Sequence, residues 1–105
     1  MLIYKERGGA AFGLNMFMTT HASWPFATIE IYLDKLIIKF LFVRLEFLKK
    51  DIEIEKMIRI FSKGIKIHNP KYKYTVFWSF HTDKLIGKFL ESGYRIRESH
   101  KTYKL

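Results

Sequence analysis

The sequence contains no cysteine, which excludes a disulfide framework and any chemistry that needs a thiolate. It holds only two prolines and six glycines in 105 residues, and no stretch rich in these residues divides it into domains. No run of 18 uncharged apolar residues occurs, so the sequence predicts no membrane span. The amino terminus also lacks the apolar segment of a signal peptide, and we expect a single cytoplasmic domain.

Acidic residues are scarce as well. The ten aspartates and glutamates are outnumbered by 19 lysines and arginines, which gives a net charge of +9, and the basic excess lies in the second half of the chain. Such an excess is typical of proteins that bind an anionic partner, either nucleic acid or a membrane surface. The alternative is compositional, with lysines that only solvate the surface of the protein.

Apolar residues make up 49% of the chain and aromatic residues 17%, enough for a bulky core. Many of them alternate with polar residues, which is the period of a strand with one buried face. The cleanest example is a hairpin over 27–40 with its turn at Asp34-Lys35. Five more strands are predicted at about 10–20, around Leu45 and Phe47, over 52–60, at Ile65 and Ile67, and from Tyr74 to Phe80.

Two of these strands need comment. For 52–60 a helix is the alternative, but four isoleucines keep the period of two and favour a strand. In the last strand, Trp78 and Phe80 share a parity with Tyr74 and Val76, so we expect Trp78 and Phe80 in the core. Residues 20–25 are predicted as a loop after the first strand, and Phe42 is expected to be exposed at a turn.

One helix is predicted at about 82–92. Thr82 is its expected N-cap and Asp83 suits the positive end of the helix dipole. Gly93 is expected to end the helix in the left-handed conformation. The helical spacing that carries the prediction is the apolar stripe of Leu85, Ile86, Phe89 and Leu90.

These elements predict a mostly β fold with one helix. Seven strands with short connections imply antiparallel pairing, and a sheet of that size twists towards a barrel or two packed sheets. The C-terminal helix would then cover one face or cap one end. We expect a single domain over residues 10–96, with loose termini at 1–9 and 97–105.

Three segments carry a resemblance to a known fold: Trp24 to Ile31, Phe61 to Ile67, and Thr75 to Phe80 with the helix up to Gly93-Tyr94. In their order they resemble the pleckstrin-homology-like superfold, and most of all the small prokaryotic proteins of the bacterial PH or GRAM-like kind, whose function is unknown. The resemblance implies a seven-stranded barrel with a C-terminal helix. It does not imply one function, since members bind lipids or peptides or act as scaffolds.

The resemblance also gives a test for lipid recognition. Members that bind phosphoinositides present basic residues between their first two strands. In this chain the segment from Thr19 to Pro25 contains no lysine or arginine. We therefore expect phosphoinositide headgroups to bind weakly, without preference for one isomer.

No motif predicts catalysis, a cofactor or a metal. The four histidines are spread along the chain without the spacing of a metal site. Asp51, Glu53 and Glu55 would share a strand face, but a solvated edge is the simpler interpretation. No glycine-rich phosphate loop and no nucleophile elbow occurs. We therefore expect a protein that is not an enzyme.

Two groups of residues are candidates for binding. The first is a basic cluster with interleaved tyrosines, of the kind that suits phosphates or single-stranded nucleic acid: Lys63, Lys66, Lys71 and Lys73. The second group consists of large apolar residues that alternation places opposite core residues, so that they form an exposed interface: Phe17, Met57, Phe61 and Phe77.

The leading hypothesis for function is a PH-like module for protein interaction or self-association, possibly as a homodimer. The second hypothesis is a peripheral binder of an anionic surface, membrane lipid or nucleic acid, through the basic half of the chain. Salt dependence would separate the two, because phosphate contacts release counterions.

Overall fold

The computed structural model describes residues 1–13, 19–58 and 63–97. A short 3₁₀ helix at Lys49–Asp51 precedes the fifth strand. In chain order, the strands and the helix of the described residues are β1 (Leu2–Gly13), β2 (Thr19–Tyr32), β3 (Lys35–Phe40), β4 (Val43–Leu48), β5 (Glu53–Ile58), β6 (Lys63–His68), β7 (Tyr74–Trp78), α1 (Thr82–Glu91) and β8 (Arg95–Arg97).

The strands form one half-barrel sheet in the order β4-β3-β2-β1-β7-β6-β5-β8. The mostly β fold and the C-terminal helix are confirmed, but the prediction of seven strands is wrong because β8 adds an eighth after the helix. The prediction of purely antiparallel pairing is also wrong, since β8 lies parallel to β5. This pairing joins a strand that precedes α1 in the sequence to one that follows it. Local alternation contains no information about such a pairing.

Strand β1 joins the two halves of the sheet. It pairs with β2 along most of its length and, from Gly9 to Gly13, also with β7. The expectation of a loose amino terminus over residues 1–9 is therefore wrong. The strand predicted at 10–20 is the end of β1 and the start of β2, and residues 14–18 between them lie outside the described part.

Strand β2 includes residues 20–25, which were predicted as a loop. The structure gives a strand because Ala22 and Ala27 both pair with β1, opposite Ala10 and Gly8. Between these pairs the register shifts, so the residues around Pro25 have no partner in β1. The missing backbone donor of Pro25 therefore costs no ladder hydrogen bond.

The core lies between the concave face of the sheet and α1. Leu85 and Phe89 of α1 are fully buried against isoleucines from both halves of the sheet. Gly93 ends the helix with φ of 78°, as predicted, and donates its N–H to Leu90. Tyr94 donates its N–H to Phe89, and the two rings pack edge to face at 5.1 Å, which completes a Schellman motif. The helix predicted from its stripe is therefore confirmed, and the alternative of a helix over 50–60 is wrong for Glu53–Ile58.

Strand β7 presents the opposite face to the one predicted. Phe77 has 0% exposure and belongs to the core cluster, whereas Trp78 is half-buried and Phe80 is 75% exposed. The reason is the packing of β1. The concave side of Gly8 has no side chain, and the Phe77 ring occupies the space where a Cβ of residue 8 would lie, 2.7 Å from its nearest ring atom. The prediction that Trp78 and Phe80 are core is therefore wrong.

The buried face of β7 can be tested by truncation. Phe77→Ala should lower the free energy of unfolding by about 3–5 kcal/mol, because it removes a fully buried ring and leaves a cavity. Phe80→Ala is the control, and should change it by no more than about 0.5 kcal/mol because that side chain is largely exposed. Urea denaturation measures both values. A larger loss for Phe80→Ala than for Phe77→Ala would contradict the assignment of the two faces.

Candidate functional site

Four large apolar side chains are exposed at the register shift of β2 or just beyond the ends of β3 and β7: Trp24 (52%), Phe26 (68%), Leu41 (70%) and Phe80 (75%). We call this group the apolar end. Trp24 and Phe80 contact each other edge to face, with ring centroids 5.4 Å apart. Phe26 of β2 and Leu41, the residue after β3, each lie one residue beyond the last pair of the β2–β3 ladder, Ala27 with Phe40, and are therefore neighbours. Trp24 and Phe26 are two residues apart in β2, so the two pairs adjoin, and neighbouring exposed apolar residues form the kind of patch that marks an interaction site.

The glycine pair in β1 explains why Trp24 and Phe26 project from the sheet. The register shift opposite Gly9 leaves the segment from Ser23 to Phe26 outside the β1–β2 ladder. A Cβ at Gly9 would lie 3.2 Å from the backbone nitrogen of Trp24 and 3.1 Å from the Trp78 ring. A side chain there would therefore push against both aromatic residues, and glycine lets the three strands approach.

A groove of about 390 Å³ lies beside the apolar end, and Phe80 belongs to both. We call it the basic groove, because it contains three lysines and one carboxylate. It is built from β5, β6 and the first turn of α1. Its lining residues are Lys56, Met57, Lys63, Phe80, His81, Thr82, Asp83 and Lys84.

Asp83 neutralises one of the three lysines. Its carboxylate accepts a hydrogen bond of 2.5 Å from Nζ of Lys56, and this contact together with the lysine charge lowers the pKa of Asp83 below its ordinary value. Lys63 and Lys84 remain as the positive charges of the groove, and Nζ of Lys84 lies 5.7 Å from the centre of the Tyr4 ring. The groove is therefore suited to a negative group that lies beside an apolar surface.

A buried polar network holds the start of α1 behind the groove. Ser79 donates its hydroxyl hydrogen to Glu6, which also accepts a bond of 2.8 Å from the Tyr4 hydroxyl. The Ser79 hydroxyl accepts the N–H of His81 at 2.9 Å, and Thr82 donates its hydroxyl to the Ser79 carbonyl at 3.1 Å. Thr82 is thus the first residue of the helix and not its N-cap, which is His81.

The network links β1 to the start of α1 through hydrogen bonds between protein groups. Burial raises the pKa of Tyr4 to about 12, helped by the hydrogen bond to Glu6 and its charge. Every fully buried side-chain nitrogen or oxygen of the described residues has a hydrogen-bond partner.

The structure does not bring the four predicted anion-binding lysines together. Lys63 lines the basic groove at the start of β6, whereas Lys71 and Lys73 follow the end of that strand. Six residues of strand span about 20 Å, so they lie at opposite ends of the sheet. Lys66 lies between them on β6, half-buried and opposite Glu55 and Val76.

The predicted interface residues also separate. Phe77 is fully buried, so the expectation that it points outward is wrong. Met57 is half-buried and lines the basic groove. Phe17 and Phe61 lie outside the described residues. Phe42 is fully exposed at the β3–β4 turn, as predicted.

The acidic residues of β5 contact basic side chains of the protein. Glu53 forms an ion pair of 2.6 Å with Arg97, which lowers the pKa of the carboxyl group, and Glu55 contacts His68 at 2.6 Å. Among the residues described, no group of three or more histidines, aspartates and glutamates is placed to hold a metal ion.

Sequence reasoning missed the apolar end. Trp24 and Phe26 lie in a segment where Pro25 indicated a loop or a strand start, and Phe80 had the parity of core residues. The signal in the sequence is the Gly8-Gly9 pair, which permits the register shift. It can be interpreted in this way only if β1 is first recognised as a strand.

No known family model, no curated protein and no solved structure matches this chain. The resemblance to PH-like domains therefore stays a prediction. Within the described part of the chain, no helix combines the length and the apolar character needed to cross a membrane.

The structural role of Ser79 can be tested by Ser79→Ala. The variant loses both bonds of the hydroxyl and removes the Ser79 donor from one carboxylate oxygen of the buried Glu6, so the free energy of unfolding should fall by about 1–3 kcal/mol. Ser92→Ala is the matched control, because its acceptor, the Lys88 carbonyl, still receives the N–H of Ser92. Denaturant unfolding compares the two. Equal losses would contradict a special role for the Ser79 network.

Proposed function

We propose that this protein is a non-enzymatic module that docks onto an anionic lipid surface through the apolar end and the basic groove. The observation that carries the proposal is that Phe80 belongs to both, so that apolar and positively charged side chains occupy one continuous surface. A bilayer with acidic headgroups offers the complementary arrangement, with negative charge directly above an apolar layer.

The energies of the two parts are complementary. Aromatic side chains such as Trp24 and Phe80 partition into the interfacial region of a bilayer. Lysines close to an anionic membrane contribute about 1 kcal/mol each, and Lys63 and Lys84 line the groove together with Phe80. The net charge of +9 adds long-range attraction that salt screens over about 8 Å at physiological ionic strength.

The proposal predicts binding to vesicles that contain phosphatidylserine and not to vesicles of phosphatidylcholine alone. Phe26→Ser and Phe80→Ser should each weaken binding at least about tenfold, because each loses the burial of one aromatic ring. Leu90→Ser is the matched control, since Leu90 is an exposed apolar residue of α1 outside the apolar end and should leave binding unchanged. Sedimentation with vesicles gives the affinities.

Charge in the groove provides a second readout of the same assay. Asp83→Asn releases Lys56 and should strengthen binding, whereas Lys63→Glu should weaken it, and both effects should shrink as salt rises. Phosphoinositide isomers of equal charge should bind alike. Vesicle binding that ignores Phe26, Phe80 and Lys63 would overturn the proposal, as would tighter binding of a single-stranded oligonucleotide through the same residues.

Self-association is the second candidate function, as the sequence suggested. It is favoured by a different surface, the outer edge of β4.

A further inference from the structure

The sheet ends at β4, and within the described residues no segment pairs with its outer edge. Edge strands are commonly protected by proline, a bulge, shortness or charged side chains, because their free backbone groups invite another strand. The charges of β4 are one of each sign, Arg44 and Glu46. β4 is six residues long, contains no proline or glycine, and keeps a continuous ladder with β3. Its edge is therefore able to accept another strand.

The hairpin geometry shows which backbone groups are free. Phe40 and Val43 flank the two-residue turn between β3 and β4, and in such a hairpin the flanking residues form a hydrogen-bonded pair. Hydrogen-bonded pairs alternate along an antiparallel ladder, so Leu45 also bonds to β3. Arg44 and Glu46 consequently direct their N–H and C=O groups away from the sheet.

A second copy of this strand can use those groups only in a few registers. With two-fold symmetry and antiparallel strands, Arg44 of one copy lies opposite Arg44, Glu46 or Leu48 of the other. The first register places two arginines opposite each other, and the third places two Glu46 carboxylates opposite each other. Like charges in direct opposition destabilise a sheet. The second register places each Arg44 opposite a Glu46.

In that register the remaining side chains also match. Leu45 lies opposite Leu45, and Val43 lies opposite Phe47, all on the side of the sheet that carries the core. On the other side, Leu48, which is 45% exposed, lies opposite the fully exposed Phe42. Charges therefore meet opposite charges, and apolar residues meet apolar residues, on both faces.

We propose that the protein forms a two-fold dimer through antiparallel pairing of its β4 strands, with Arg44 of each copy opposite Glu46 of the other. The two side chains now form an ion pair within their own strand at 3.3 Å, and both are substantially exposed. In the dimer each exchanges this neighbour for its counterpart across the interface. β4 carries one positive and one negative side chain, so two β4 strands can pair without repulsion from the net positive charge of the protein. The inference does not rest on lipid docking, which uses Trp24, Phe26, Phe80 and the basic groove; Leu41, in the β3–β4 turn, is the residue of the apolar end that lies next to this edge.

Charge exchange tests both the dimer and its register. Sedimentation equilibrium of the full chain at about 100 µM should give a mass of about twice 12.6 kDa. Arg44→Glu or Glu46→Arg alone turns two attractive pairs into two repulsive ones and should weaken the dimer at least about tenfold. A mixture of equal amounts of these two variants should dimerise again, and so should the double variant.

Lys71→Glu is the control for net charge, because it changes the charge as Arg44→Glu does but lies in the exposed β6–β7 connection. It should leave the dimer intact. Circular dichroism confirms that each variant is folded before its mass is measured. A monomeric wild type would overturn the proposal. Single variants that dimerise like the wild type, or a mixture that stays monomeric, would overturn the β4 register.

Discussion

The contact between Gly8 and the ring of Phe77 determines which face of β7 is the core. Gly8 presents no side chain to the concave side of the sheet, and the Phe77 ring fills that space. A Cβ at this position would also collide with the carbonyl oxygen of Trp78. Because successive residues of a strand point to opposite faces, Phe77 inside leaves Trp78 on the convex side. Phe80 then projects beside Trp24 at the end of the sheet.

The residues next to this contact, Gly9 and Ser79, connect the fold to the candidate site. The register shift opposite Gly9 releases Trp24 and Phe26 from the ladder, and the polar network of Ser79 and Glu6 ties the end of β7 to the start of α1. The aromatic contact of the apolar end thus forms where β1, β2 and β7 meet, and the basic groove lies next to it, between β5, β6 and the start of α1. The β4 edge lies at the far side of β2 and β3, so changes at Arg44 and Glu46 are separable from changes at Phe80.

Local patterns predicted the elements whose two faces differ clearly. The hairpin over 27–40 alternates cleanly, and α1 has both its stripe and Gly93 to mark its end. β7 was assigned the wrong face because Val76, Phe77 and Trp78 are all apolar, so alternation gave no reliable parity. Residues 2–9 of β1 were missed because Gly8-Gly9 has the composition of a break. The β1–β7 and β5–β8 pairs are contacts between distant segments, which no local period reports. Of the predicted site residues, Lys63 and Met57 line the basic groove. The sequence could not predict that they lie together beside α1, because only the folded strands bring them there.

Stability measurements on glycine variants test the role of Gly8 most directly. Gly8→Ala should lower the free energy of unfolding by more than about 2 kcal/mol, because the new methyl group overpacks Phe77 and the β7 backbone. Gly87 in α1 has open space around it, so Gly87→Ala should raise that free energy by about 0.5–1 kcal/mol through helix propensity. A Gly8→Ala variant as stable as the wild type would contradict the packing of Phe77 on Gly8, and with it the account of the apolar end.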